Sequence, residues 1–143
     1  GGQYIGKLSK LIDNEKYIIC VAGAEGPKLE NVIYLGKIAN DQLSNYYHHA
    51  FVTILLSKRE TFSMIVAESL VSGTPVIGFK SGGPESIAME DYSCFCDYGN
   101  IESLYDAIES LGSINKSELA EKAKSKYSTK NVSTEYIRIY EAN

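Results

Sequence analysis

The sequence has no tryptophan, few methionines and prolines, and only three cysteines. An odd cysteine number, with no second Cys or His pair at ligand spacing, argues against a disulfide framework and a structural zinc site. Cys20, Cys94 and Cys96 are therefore expected to be buried, reduced thiols, as in a cytoplasmic protein. No metal site and no cofactor are expected.

Long apolar runs and an excess of positive charge are also missing. The longest apolar runs, such as 51–56, are far shorter than the ~20 residues that a membrane-spanning helix needs. The formal net charge is -4 at pH 7, whereas nucleic-acid binders carry clustered positive charge. We therefore expect no nucleic-acid partner. The 143 residues are enough for one domain with a core of its own.

What is present is a regular alternation of short apolar runs and helical patterns. The apolar runs predict strands at 17–22, 31–35, 51–56, 74–79 and 94–96. The helical patterns predict helices at 2–12, 41–49, 63–72, 85–89, 101–111, 115–126 and 129–141. Asn115, followed by Glu118, has the spacing of a helix cap, and Tyr136 and Tyr140 share one face of the last helix.

The strands are continuously apolar, which predicts burial on both faces and a parallel sheet between helices. The expected fold class is α/β, a doubly wound Rossmann-like parallel sheet with helices on both faces, forming one domain over 1–143. Such a domain normally opens with a central strand, but this chain opens with a helical pattern. Either that strand precedes residue 1 or residues 3–5 form it, and we favour the first, which makes the chain a fragment.

In such sheets ligands bind at the carboxyl ends of the strands, and one end carries the main signal. Glu60 follows a predicted strand, and Ser63 and Met64 open a helix whose free N–H groups and dipole favour a phosphate. Glu68 lies further along the helix, where its carboxylate could accept hydrogen bonds from a ribose diol. The order predicts subsites for a sugar, a diphosphate and a ribose, the three parts of a nucleotide sugar.

The residues alone leave a second interpretation open. Glu60 could be a surface loop residue, and Glu68 could pair with a basic side chain in a binding module without catalysis. Glu68 is surrounded in sequence by Val66, Ala67 and Leu70, where an unpaired charge is costly. Lys58 and Arg59 are expected to be solvated, and His48 and His49 to be structural or surface residues.

The stretch from Glu60 to Ile77 (ETFSMIVAESLVSGTPVI), followed by Ser81 to Glu85 (SGGPE), resembles the retaining GT-B-fold glycosyltransferases of the group 1 / family 4 type. Residues 20–23, 31–38 and 51–57 resemble strands of the same family. The resemblance implies one half of a GT-B fold, the C-terminal, donor-binding domain, without the N-terminal acceptor domain.

The resemblance also implies a role for individual residues. Glu60 corresponds to the glutamate that contacts the donor sugar and is often called catalytic, and Glu68 to the one that holds the ribose. Backbone N–H groups near the sugar and diphosphate are implied for Thr61, Phe62, Ser63 and Met64. Contact with the base is implied for Lys37 and Ile38, and Gly23 keeps backbone near the nucleotide. Gly73 and Pro75 form the turn into the next strand.

The implied reaction moves a sugar from a nucleotide diphosphate sugar to a hydroxyl of a glycan, polysaccharide or lipid-linked acceptor. We expect the fragment alone to transfer nothing, and the full protein to be cytoplasmic, with membrane association through its other parts. Ser63 departs from the family, which usually has glycine there, and the family's diphosphate-binding Arg and Lys are not in this chain. A GT-B-like nucleotide-sugar epimerase stays an alternative.

Overall fold

The computed structural model describes residues 1–128, so the predicted helix 129–141, with Tyr136 and Tyr140, lies outside the described residues. The helices are α1 (Ile5–Leu11), α2 (Asn40–His49), α3 (Met64–Val71), α4 (Gly83–Ile87), α5 (Ile101–Glu109) and α6 (Lys116–Lys126). The strands are β1 (Ile19–Ala22), β2 (Val32–Gly36), β3 (Thr53–Leu55), β4 (Val76–Phe79) and β5 (Ser93–Cys96).

The α/β class predicted from the sequence is confirmed, because every pairing between these strands is parallel. The strands form two sheets, β1–β2 and β3–β4–β5. In the larger sheet Ile54 lies opposite Ile77, and Ile77 lies opposite Cys94 on its other side. The carboxyl ends of β3, β4 and β5 therefore share one edge, and the loops after them meet there.

The chain begins with helical backbone. A 3₁₀ turn, Gly2–Tyr4, leads directly into α1, so the alternative of a short strand at 3–5 is wrong. The physical reason is the helical spacing of Leu8 and Ile12, which are both buried in the core.

Two apolar clusters cover the opposite faces of the larger sheet. Ile77 and Phe79 pack with residues of α1 and α5, whereas Val76 packs with residues of α3 and α6. All four residues of β4 are buried. The prediction of burial on both faces therefore holds for β4, and this buried central strand positions the loop that follows it.

The same prediction is wrong for the smaller sheet. Ile33 of β2 is 49% exposed, and Ile18, just before β1, is 63% exposed. Helix α2 packs against α3, which leaves one face of β1–β2 open to solvent within residues 1–128. Cys20 and Cys94, expected to be buried, are exposed, and Cys96 is partly buried.

The turn from α3 into β4 has the structural role expected of Gly73 and Pro75. Gly73 has a φ of 82°, and a Cβ there would come within 2.5 Å of the Lys116 carbonyl oxygen. The Pro75 carbonyl accepts a hydrogen bond from the Thr53 N–H, 2.9 Å away. The predicted cap is also confirmed, because Asn115 Oδ1 accepts a hydrogen bond from the Glu118 N–H at 3.2 Å.

None of the helices within residues 1–128 combines the length and the apolar character that crossing a bilayer requires.

Candidate functional site

The loops after β3 and β4 hold each other in place. The Glu60 N–H donates to the Ser81 carbonyl at 3.0 Å, and the Gly83 N–H donates to the Glu60 carbonyl at 2.9 Å. A Cβ at Gly83 would lie 2.2 Å from the Thr61 carbonyl oxygen, so only glycine allows this approach. The parallel pairing of β3 and β4 thus continues past the strands into the predicted site.

The Glu60 carboxylate has a fixed place at this edge. Ser57 Oγ donates to Glu60 Oε1 at 2.7 Å, and Glu60 is partly buried. The hydrogen bond leaves the second carboxylate oxygen available to accept hydrogen bonds from a ligand. Sequence reasoning did not predict the role of Ser57; its signal was a hydroxyl at the end of an apolar strand, three residues before the glutamate.

Ser63 lies immediately before α3 and has an unusual backbone. Its φ is 42°, in the left-handed region that favours glycine. As predicted, Ser63 lies at the opening of α3, as the residue immediately before the helix, although its side chain makes no capping hydrogen bond. Ser63 is 7% exposed, and within residues 1–128 its Oγ is buried without a hydrogen-bond partner.

The start of α3 is open to solvent around Ser63. Phe62 is 52% exposed and Met64 is 59% exposed, and Thr61 is also exposed. The first N–H groups of a helix have no partner inside the helix, and here no side chain caps them. This end of α3 therefore offers unpaired donors and the positive end of the helix dipole.

Glu68 lies in the second turn of α3 and is exposed. The expected penalty of a carboxylate among apolar neighbours is therefore wrong, because Val66 and Leu70 face the core on the other side of the helix. The buried Tyr47 of α2 contacts Glu68. Burial, followed by the negative charge of the Glu68 carboxylate, raises the pKa of Tyr47 to about 12.

Gly23, Lys37 and Ile38 lie together at the carboxyl ends of the smaller sheet. The Gly23 N–H donates to the Gly36 carbonyl at 2.7 Å, and Lys37 and Ile38 follow directly. Lys37 is exposed and Ile38 is partly buried. In the described part of the chain no hydrogen bond or ion pair joins this group to Glu60 or Glu68, so the predicted residues form two separate groups.

The second helix start at this edge, that of α4, is already closed. Glu85 accepts hydrogen bonds from the Ser81 N–H at 2.6 Å and from the Gly82 N–H at 2.9 Å. Beside it, Lys80 and Asp97 form an exposed ion pair at 2.8 Å. Because the Glu85 carboxylate already occupies the start of α4, an anion that binds at this edge would find the start of α3 open instead.

The side chains expected to be solvated or structural behave as predicted. Lys58 and Arg59 are exposed, with Lys58 Nζ 5.7 Å from the Tyr98 ring centroid. His48 and His49 end α2, where His49 Nδ1 lies 2.8 Å from the Asn45 carbonyl. No group of three His, Cys, Asp or Glu side chains in residues 1–128 is placed to hold a metal ion.

The geometry defines what this edge can bind. Along the chain, Glu60 lies before the open start of α3 and Glu68 lies within the helix. Carboxylates accept hydrogen bonds from hydroxyls, and a helix start binds an anion. This edge therefore offers acceptors for hydroxyl groups and donors for an anion.

Known proteins of related sequence include sugar transferases. The chain is 26% identical over 144 residues to a lipopolysaccharide 1,2-N-acetylglucosaminetransferase of Salmonella typhimurium, which covers 95% of this chain and 37% of the relative. It is 31% identical over 78 residues to an N-acetyl-alpha-D-glucosaminyl L-malate synthase of Bacillus anthracis, covering 54% of this chain and 20% of the relative. The chain thus spans well under half of either relative.

The fold itself has a solved counterpart. A sucrose-phosphate synthase from Thermosynechococcus elongatus aligns with a TM-score of 0.65 at 21% identity, over 79% of this chain and 30% of that chain. The family described as glycosyl transferases group 1 matches residues 6–129. That match includes the Glu60–Glu68 edge and all of the strands, and on this ground the chain belongs to the group 1 glycosyl transferases.

Proposed function

We propose that this chain is the donor-binding domain of a retaining glycosyltransferase that uses a nucleotide diphosphate sugar. The start of α3 binds the diphosphate, Glu60 accepts hydrogen bonds from the sugar hydroxyls, and Glu68 accepts them from the ribose. Lys37, Ile38 and Gly23 line the subsite for the base of the nucleotide. The sugar passes to a hydroxyl of a glycan, polysaccharide or lipid-linked acceptor, with its anomeric configuration retained.

One observation carries this proposal: along the chain, an uncapped start of α3 follows the hydrogen-bonded carboxylate of Glu60 and precedes the exposed carboxylate of Glu68. Ser57 holds Glu60 by a hydrogen bond. The Glu60 carboxylate is thereby oriented before a ligand arrives, which lowers the ordering cost of binding. Catalysis on this basis rests on positioning and on stabilising the leaving diphosphate, with no metal or cofactor required.

We also propose that the enzyme has an N-terminal domain and one further strand outside these 143 residues. This chain and the N-terminal domain would then form the two halves of a GT-B fold. Two features of the core support the strand. Ile19 of β1 and Ile54 of β3 pack into the same apolar cluster. The Tyr17 and Phe51 rings, just before those strands, have centroids 5.6 Å apart. A parallel strand between β1 and β3 would join the two sheets, and the full enzyme would act in the cytoplasm.

The test is a thermal-shift panel of UDP, GDP, CDP and ADP sugars against the 143-residue chain. At a ligand concentration ten times the Kd, binding to the folded state adds about 1.4 kcal/mol of stability, which is measurable. The expected result is a shift with one base class and no sugar transfer by this chain alone. No shift with any donor would remove the proposal, and measurable turnover would remove the need for the second domain.

The two carboxylates are separated by their variants. Glu68→Ala should weaken binding of both the nucleoside diphosphate and the nucleotide sugar, because it removes the ribose contact that the two ligands share. Glu60→Ala should weaken binding of the nucleotide sugar and leave the affinity for the nucleoside diphosphate nearly unchanged. Glu109→Ala is the control, since Glu109 ends α5 at the opposite edge of the sheet and should alter neither affinity.

A further inference from the structure

Ser63 combines two unfavourable features in one residue. Its φ of 42° lies where a side chain strains the backbone and glycine does not. Its Oγ is buried, and no hydrogen-bond partner exists for it among residues 1–128; an unpaired buried hydroxyl is uncommon and destabilising. The missing cap on α3 means that the fold gains no hydrogen bond from this side chain.

The buried serine hydroxyls without a partner are found mainly at the proposed donor site. Three serines in the described residues have a buried Oγ without a partner: Ser63, Ser81 and Ser93. Ser63 and Ser81 lie in the two loops that the Glu60–Gly82 bridge joins at the carboxyl edge. Ser93 begins β5 and so lies at the opposite edge of the sheet. Two of the three therefore lie at the proposed donor site.

We propose that the Ser63 hydroxyl is a donor-binding group that hydrogen-bonds the diphosphate of the nucleotide sugar, an inference that rests on the proposed function. A hydroxyl donates one hydrogen bond and reorients by rotation about χ1 alone. Ser63 is the residue immediately before α3, at the positive end of the helix dipole, where a phosphate oxygen is the matching acceptor. Because the Oγ is buried in the ligand-free chain, binding requires a rotation about χ1 that turns the hydroxyl towards the phosphate. Glycine would fit this backbone better and would supply no hydroxyl.

Ser63→Gly tests the inference because it relaxes the backbone and removes only the hydroxymethyl group. Calorimetric titration uses the nucleoside diphosphate that gives the largest shift in the panel, with its parent nucleoside. The variant should melt no lower than the wild-type chain. It should bind the diphosphate roughly tenfold more weakly, the effect of losing one charge-assisted hydrogen bond, and bind the nucleoside unchanged.

Two further variants separate the hydroxyl from the backbone. Ser63→Ala keeps the Cβ and the strained φ and should lose the same roughly tenfold affinity for the diphosphate. Ser93→Ala removes a buried, unpartnered hydroxyl away from the site and should leave affinity unchanged.

Three results would overturn the inference. In the first, both Ser63 variants bind the nucleoside diphosphate as tightly as wild type. In the second, they lose as much affinity for the nucleoside as for the nucleoside diphosphate. In either case the proposed function stands, because the wild-type chain still binds. A wild-type chain that binds no nucleoside diphosphate would remove the proposed function and this inference together.

Discussion

The strands β2 and β4 have similar apolar sequences but very different surroundings. β4 reads Val-Ile-Gly-Phe and is buried at every residue, whereas in β2, Val-Ile-Tyr-Leu-Gly, only Val32 is buried. Helices cover both faces of β4. No comparable pair of clusters encloses β2 within residues 1–128. An apolar run thus predicts a strand, but the helices that the chain lays over it decide its burial.

The difference matters for the proposed site because its parts rest on different supports. Glu60, Ser63 and Glu68 are attached to the well-covered sheet β3–β4–β5, whose next loop, at Gly82 and Gly83, holds Glu60 by backbone hydrogen bonds. Lys37 and Ile38 follow the exposed strand β2. We therefore expect a preformed sugar and diphosphate subsite and a less rigid base subsite.

The largest expected effect comes from one substitution made in both strands. Ile77 in β4 is 2% exposed, and Ile33 in β2 is 49% exposed. Ile77→Ala leaves a cavity in the core and should lower the free energy of unfolding by about 2–5 kcal/mol. Ile33→Ala removes half-exposed surface and should cost about 1 kcal/mol or less. Urea denaturation of both variants measures the two values.

Equal losses for the two variants would break the comparison. That result would mean that the open face of β1–β2 is covered in solution, by a second copy or by residues beyond Ser128. Sedimentation of the wild-type chain at the concentration used for unfolding separates a dimer from a monomer.

A smaller effect is expected where α2 meets the start of β4. The buried Thr74 Oγ1 donates to the Tyr47 carbonyl, and Lys116 Nζ donates to the Ala50 carbonyl at 2.7 Å. Thr74→Val keeps the shape and removes the hydroxyl, so it should cost about 1–3 kcal/mol in urea denaturation. Thr74→Ser keeps the hydroxyl and should retain most of the stability. A Thr74→Val loss no larger than that of exposed Thr61→Val would contradict this assignment.

The sequence predicted most of the fold because its signals were local. Apolar runs gave all five strands within a few residues of their observed bounds, and helical spacing gave α1 through Leu8 and Ile12. It could not give the burial of Cys20 and Cys94 correctly, because burial depends on which helix packs over a strand. That is decided by long-range contacts, such as α2 on α3, which no local pattern encodes.

For the candidate site, the sequence predicted the helix start. Motif and strand-end reasoning opened a helix at Ser63 and Met64, and Ser63 is the residue immediately before α3. The donor-binding roles of Glu60, Ser63 and Glu68 stay predictions. It missed Ser57, which holds the Glu60 carboxylate, because Ser57 does not belong to the acidic motif. It also could not foresee the φ of Ser63, since a serine at a helix start usually serves as a cap.

Next in size is the cap of α6, which supports the well-covered sheet from outside. Asn115→Ala removes the acceptor for the Glu118 N–H and should cost about 1 kcal/mol in urea denaturation. Asn115→Asp keeps the cap and should be nearly neutral. If Asn115→Ala has no effect, α6 contributes its packing through Leu119 and Ala123 without needing a defined start.

The reactivity of the thiols with Ellman's reagent tests the comparison directly and involves the smallest change in stability. Cys20 on β1 and Cys94 on β5 are exposed and should react first in the folded chain. Burial raises the pKa of the Cys96 thiol, which lowers its thiolate fraction at neutral pH, so Cys96 should react most slowly. The double variant Cys20→Ser, Cys94→Ser should retain only the slow phase. Protection of Cys20 with rapid reaction of Cys94 would show that the face of β1 is covered in solution, and the base subsite would then be as rigid as the rest.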